Sequence, residues 1–360
     1  MSETPHETPE ELHHRAFLFD GHNDVALKIL QGVDITDRRE DGHLDLPRMR
    51  EGGFDGGVFA VWIDPALPEP LQRSLDSVRR LREYLETTSG FQPVLSSADL
   101  DAARESGDVA AVIGVEGGYG IEDDLAAVDR LAEAGMRCLT LTWMRPTAWA
   151  DASGRPSVHD GLSEFGQRVV SRLRSLGVAI DVSHASDRVL EQLLERGDGP
   201  VTASHSGVKA VADHHRNLPD NLLERLAAAD GVVGINFFSA YLDADFGRRV
   251  EQLQRDLGPY DPANHDGLYE ALKRRVRAEL TPVPFELLID HLHHAIQVAG
   301  PLHVGLGSDF DGVVALPDGL DDARDLPRIT ESLARRGVAP DSLEAVLGGN
   351  FLRYFQTVLS

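Results

Sequence analysis

Six residues, each following a short apolar and β-branched run, have the chemistry of a metal site. His22 and Asp24 close the stretch Phe19-Asp20-Gly21-His22-Asn23-Asp24. Positions two apart on a strand share a face, so this pair can aim an imidazole nitrogen and a carboxylate oxygen at one point. That ligand set suits zinc or a similar divalent ion, although a lone His-x-Asp at a strand end is more often turn chemistry. Glu116 follows the run 109–115, His184 follows 178–182, His205 follows 201–203, and Asp309 follows 303–307. Three histidines and three carboxylates thus recur at equivalent places far apart in the chain.

The elements that must position them are short runs at 16–19, 57–63, 109–115, 138–142, 178–182, 201–203, 232–236 and 303–307. Amphipathic helical patterns follow most of them, at 74–87, 123–134, 161–176, 187–195, 222–229 and 284–298. Strands alternating with helices imply parallel βα units, and eight units in 360 residues predict an α/β fold of the (β/α)8 TIM-barrel type. A doubly wound open sheet should carry a Gly-rich phosphate turn after its first strand; here that strand runs into His-Asn-Asp. One domain is expected over 1–360, with a charged helical insertion around 242–282 before the last strand. In such a barrel the C-terminal strand ends share one face, which would gather all six residues.

Their number fits two ions. His22, Asp24 and Glu116 would hold one, and Glu116, His184 and His205 the other, with the two oxygens of Glu116 as the bridge. Two ions ~3.5–4 Å apart can share a hydroxide and polarise a carbonyl or phosphoryl oxygen. A carbamylated lysine bridges the metals of some barrels, but Lys28, Lys209 and Lys273 are the only lysines and none stands at these strand ends.

Composition narrows the partners. A formal net charge of -24 repels nucleic acid and anionic membranes. No stretch approaches the ~20 apolar residues that span a bilayer. Cys138 is the only cysteine, which excludes an intrachain disulfide or a thiolate zinc cluster and predicts a small buried core residue. Residues 1–7 lack the basic and apolar regions of a secretory leader, and 354–360 lack a lipid-anchor tail. A cytoplasmic protein is expected.

The motifs resemble those of the renal (membrane) dipeptidase family, the M19 metallopeptidases of the amidohydrolase superfamily. Matching segments are Asp20-Gly21-His22-Asn23-Asp24, Glu116-Gly117-Gly118, Asp181-Val182-Ser183-His184 and Ala203-Ser204-His205-Ser206. Arg216-Asn217-Leu218-Pro219-Asp220, Gly307-Ser308-Asp309-Phe310-Asp311-Gly312 and Gly348-Gly349-Asn350 continue the series in family order. The resemblance implies a (β/α)8 barrel with two zinc ions that cleaves dipeptides, often with a D-residue at the C-terminal position. It implies the same five ligands, with Glu116 bridging. It implies Arg216 as partner of the substrate carboxylate and Asp309 as the acid/base that moves a proton to the leaving amine. Asp309 is also the candidate anchor for the substrate's free amine. The resemblance also implies a homodimer. Mammalian members are secreted and lipid-anchored; this chain is similar to the bacterial ones.

One position departs from the pattern. The family has a histidine after the fourth strand, in Leu-Thr-Leu-Thr-His, thought to bind substrate and stabilise the tetrahedral oxyanion. Here the run is Leu139-Thr140-Leu141-Thr142-Trp143, while Trp149-Ala150-Asp151 downstream still matches. Trp143 can stack and donate through its indole N–H but cannot carry charge. Three outcomes stay open: a dipeptidase with zinc as main electrophile, a hydrolase of another carboxylate-bearing amide, or a weakly active family member. A phosphotriesterase-like or lactonase enzyme, or a non-enzymatic binding protein, are the competing classes. The loop after strand seven (Phe237, Phe238, Tyr241) and residues 144–149 are expected to set side-chain preference. Of the other histidines, His13 and His14 are expected to be exposed, and His291, His293 and His294 to lie on a solvated helix face.

Overall fold

The computed structural model describes residues 7–360. The leader expectation concerns a segment whose residues 1–6 lie outside that range. The described residues form ten parallel strands: β1 (Leu18–Asn23), β2 (Phe54–Trp62), β3 (Phe91–Val94), β4 (Val109–Glu116), β5 (Cys138–Thr140), β6 (Ala179–Asp181), β7 (Thr202–Val208), β8 (Asn217–Leu218), β9 (Val232–Asn236) and β10 (Val304–Gly307). Eight of them close a barrel in the order β1-β2-β4-β5-β6-β7-β9-β10, and β10 returns to β1. The (β/α)8 barrel is therefore the fold. β3 and β8 are additions outside the ring. β3 pairs with residues 109–112 of β4, and β5 with residues 114–116 of the same strand.

Alternation along the strands builds two layers. On β4, Ala110 and Val112 face the barrel interior with Phe19, Val58, Cys138, Ala179 and Val232. Val109, Ala111, Ile113 and Val115 face the surrounding helices. Continuing the inward series through Gly114 brings Glu116 to the interior at the C-terminal end. Phe351 and Phe355 of the C-terminal helix Asn350–Val358 close the opposite end, with their rings 5.9 and 5.4 Å from that of Phe19. Cys138 is buried in this apolar layer, as expected.

Two strands break register just where they carry a site histidine, β1 between Asp20 and Asn23 and β7 between Ala203 and Ser206. A bulge of this kind re-aims a side chain. Without it, the alternation that puts Phe19 inside would turn His22 outward. Glycines let the strands crowd together below the site. A Cβ at Gly234 or Gly307 would run into the Ser204 carbonyl.

The segment before the last strand holds the helices Ala244–Asp256 and His265–Glu279. It reaches back over the strand ends: the Tyr260 hydroxyl bonds Asp64, the His265 ring packs 4.6 Å from Trp62, and the Tyr269 hydroxyl donates to the Val313 carbonyl at 2.8 Å. Among the described residues, no helix is long and apolar enough to cross a membrane.

Two histidine expectations are corrected. His13 is fully buried, its Nε2 2.9 Å from the Gly52 carbonyl and its Nδ1 2.7 Å from the Thr330 hydroxyl. His291 is also fully buried, not solvated. It bridges the Val208 N–H (3.0 Å) and the Leu242 carbonyl (3.2 Å), packing the helix Phe285–Ala299 against the end of β7. In both cases the partners come from distant segments, so helical periodicity alone cannot reveal them.

Candidate metal centre

All five expected ligands and Asp309 meet at the C-terminal end of the barrel. His184 Nε2 and His205 Nε2 lie 3.0 Å apart, and Glu116 Oε1 is 3.1 Å from the first and 3.5 Å from the second. His22 Nε2 lies 3.7 Å from Asp24 Oδ2 and 3.9 Å from Glu116 Oε1. Ligand atoms around a tetrahedral zinc at ~2.0–2.1 Å stand roughly 3.3 Å from one another, so the spacing fits. The buried His22 Nε2 has no hydrogen-bond partner, which also fits a nitrogen kept for a metal.

The grouping differs in one detail from that read in the sequence. Ligand atoms of Glu116, His184 and His205 all fall within 4.8 Å of one another, as expected, but the carboxylate completing such a group with His22 and Asp24 is Asp309. Oε1 of Glu116 nonetheless lies within 3.9 Å of Nε2 of all three histidines.

The electrostatics call for positive charge. Burial pushes the Glu116 carboxyl up to about 8, against the pull of His22. Burial opposes a charge on His22, yet Glu116, Asp24 and Asp309 together push its imidazole up to about 10. Burial and the Arg216 charge hold His184 well below its ordinary value, and burial, His22 and Arg216 do the same for His205. These two imidazoles keep their lone pairs, beside the raised carboxyls of Glu116 and Asp309. That is the donor set of a divalent-cation site.

Asp309 lies just past β10, with φ of 59°. Its Oδ2 accepts from Asn236 Nδ2 at 2.9 Å, and burial together with Asp24 pushes its carboxyl up to about 6. His184 and Asp311 also adopt the left-handed region, at 68° and 66°. For residues other than glycine this conformation is costly and tends to mark functional turns. Asp311 pins the turn by accepting from Arg39 Nη1 (3.0 Å) and the His43 N–H (3.0 Å), drawing the 39–44 segment onto it.

Arg216 is buried, not a surface arginine among its neighbours. Its Nη2 donates to the His205 carbonyl at 3.0 Å and its guanidinium lies 5.1 Å from the Tyr241 ring centre. Its Nε has no partner, and no carboxylate among the described residues lies within 4.0 Å of it. Trp143, just past β5, is half-buried, its ring 4.8 Å from Trp62 and 6.4 Å from His184.

Sequence reasoning missed the residues that hold this arrangement. The Tyr119 hydroxyl accepts the backbone N–H of Trp143 (3.2 Å) and donates to the Arg145 carbonyl (2.8 Å), fixing the loop that carries Trp143. Asn236 orients Asp309, and Asp20 and Asp181 bond the serines that precede Asp309 and His205. The signal available was an acidic residue inside an otherwise apolar strand, at Asp20 and Asp181.

The family model for membrane dipeptidase, peptidase family M19, matches residues 6–360. The chain belongs to this family. It is similar to dipeptidase AC, a solved M19 metallopeptidase, at 28% identity and a TM-score of 0.78 over 96% of this chain and 99% of that one. A metallopeptidase from Rhodobacter sphaeroides, solved with a phosphinate mimic of the dipeptide L-Ala-D-Ala, is 27% identical with a TM-score of 0.76 over 95% and 99%. The probable dipeptidase PvdM from Pseudomonas aeruginosa is 27% identical with a TM-score of 0.82 over 98% and 97%. This M19 chain is accordingly a hydrolytic enzyme, a metallopeptidase of the dipeptidase type.

Proposed function

We propose that this M19 protein hydrolyses the single peptide bond of dipeptides, including those with a D-residue at the C-terminal position, using two zinc ions. The observation that carries the reading is the pairing of the ligand cluster with a buried Arg216 that lacks a carboxylate partner. A peptidase confined to dipeptides must recognise a free carboxylate close to the scissile bond, and an unpaired buried guanidinium is suited to that. The R. sphaeroides relative, solved with a dipeptide mimic carrying a D-residue, supports the substrate class.

His22, Asp24 and Glu116 would hold one ion and Glu116, His184 and His205 the other, with Glu116 shared. When bound, such a pair supplies Lewis acidity and a nucleophilic water at neutral pH. The remaining work falls to side chains. Arg216 anchors the substrate carboxylate on the β7–β9 side. Asp309, with a carboxyl poised near 6, accepts a proton from the attacking water and passes it to the leaving amine. Asn236 keeps one Asp309 oxygen occupied, which aims the other at the reaction. Trp143 and Trp62 form an aromatic wall on the β2–β5 side, where a substrate anchored by Arg216 would present its N-terminal residue. A cytoplasmic location and a homodimer complete the proposal.

Steady-state assays of the zinc-loaded protein against L-Xaa-L-Xaa and L-Xaa-D-Xaa libraries test it. Hydrolysis of free dipeptides is expected, with tripeptides and dipeptide amides poor. Turnover of carboxylate-bearing amides alone would support the alternative in which Trp143 has redirected specificity.

A further inference from the structure

Asp181 ends β6 with no solvent exposure, and each of its oxygens accepts two hydrogen bonds. Oδ1 takes the backbone N–H groups of Ser183 (3.0 Å) and Ser204 (2.8 Å). Oδ2 takes the hydroxyls of Thr140 (2.6 Å) and Ser204 (2.7 Å). A carboxylate offers about four acceptor positions, so Asp181 has none left for a metal, although it stands within 4.8 Å of a ring nitrogen of His22 and of His205. Its importance lies in what it does to Ser204. That hydroxyl has one proton, and Asp181 takes it. Toward His205 Nδ1, 2.8 Å away, the Ser204 oxygen can then only accept. The imidazole proton must sit on Nδ1, which leaves the lone pair on Nε2, the atom facing His184 and Glu116.

The same carboxylate steadies both histidines of this half of the site. Ser183, whose backbone N–H it binds, precedes His184, and the Ser183 hydroxyl accepts the backbone N–H of His205 at 3.0 Å. Asp20 repeats the clasp on Ser308, with both bonds 2.7 Å, but there the chain ends without an imidazole.

We propose that Asp181, acting through the Ser204 hydroxyl, is the positioning residue that fixes the His205 proton on Nδ1 and frees Nε2 to bind a metal ion. This rests on the metal-site reading above, yet its first test does not need a metal. In the metal-free, full-length protein labelled with 15N-histidine, imidazole N–H correlations should show His205 as the Nδ1–H tautomer. An Nε2–H tautomer there overturns the proposal. If Nδ1–H is found in a protein that binds no zinc, the positioning stands and the metal reading falls.

The second test is calorimetric titration of zinc into metal-free protein. Ser204→Ala should weaken one of two binding steps about 10- to 100-fold, the range typical when an outer partner of a ligating histidine is lost. Ser204→Thr, which keeps the hydroxyl, should restore most of it. In Asp181→Asn the amide nitrogen must take the Oδ2 position, because two N–H groups already point at Oδ1. The Ser204 proton then turns toward His205 and drives the imidazole proton to Nε2. This variant should lose the same binding step and show the switched tautomer. Wild-type zinc affinity at both steps in Asp181→Asn and Ser204→Ala would overturn the proposal.

Discussion

Asn236 Nδ2 donates a 2.9 Å hydrogen bond to Oδ2 of Asp309, the carboxylate that shares one corner of the site with Asp24 and His22. That corner admits two roles for Asp309, proton carrier or ligand, and one substitution separates them. Asp309→Asn should lower kcat by roughly 10²–10⁴ while the protein keeps its full metal content. Metal analysis beside the kinetics checks this. Loss of an ion together with activity would make Asp309 a ligand.

Arg216 should discriminate by the substrate's terminal carboxylate. Arg216→Ala should raise KM for dipeptides about 10- to 100-fold, the worth of a charge-assisted pair, with a smaller change in kcat. The same variant should no longer distinguish a dipeptide from its amide. Full dipeptide activity in Arg216→Ala would overturn the role of Arg216 as the carboxylate anchor.

Trp143, at the position where the resemblance to M19 dipeptidases implies a histidine, lies 6.4 Å ring to ring from His184. Removing one oxyanion donor costs about 10²–10³ in turnover, so restoring one should recover part of that. Trp143→His is expected to raise kcat by about tenfold or more on small dipeptides. It should also weaken any preference for a bulky N-terminal residue, because the wall against Trp62 is lost. A drop in kcat for every dipeptide would show that the indole itself is needed.

His291 makes stability depend on pH. Nδ1 accepts from Val208 and Nε2–H donates to Leu242, so the folded state binds the neutral tautomer. Burial pushes its folded value down from 6.5 to about 4. Between those values the unfolded chain holds a proton the folded one does not. The stabilisation is therefore complete above about pH 6.5 and falls away as pH drops toward 4, on the order of 3 kcal/mol. Thermal unfolding of the wild type and His291→Gln from pH 4 to 7 should show a flatter slope in the variant. Identical slopes would contradict the assignment.

The convergence of His22, Glu116, His184 and His205 was legible because a parallel barrel puts every strand's C-terminal end on one face, so residue type and order sufficed to bring them together. The bulges that aim His22 and His205 were not, since register depends on the neighbouring strand. β3 escaped because it has four residues, one of them Pro93, and pairs beside only half of β4. The pairing of Asp309 with Asp24, the burial of His13 and His291, and the Asp181 clasp all arise from contacts between distant segments. No local pattern encodes them.

The central claim, two ions working together in a dipeptidase, is tested most directly by titrating zinc into metal-free protein while following dipeptide hydrolysis. The account predicts activity that rises to a plateau at two equivalents per chain. A plateau at one equivalent, or no hydrolysis at any loading, would contradict it.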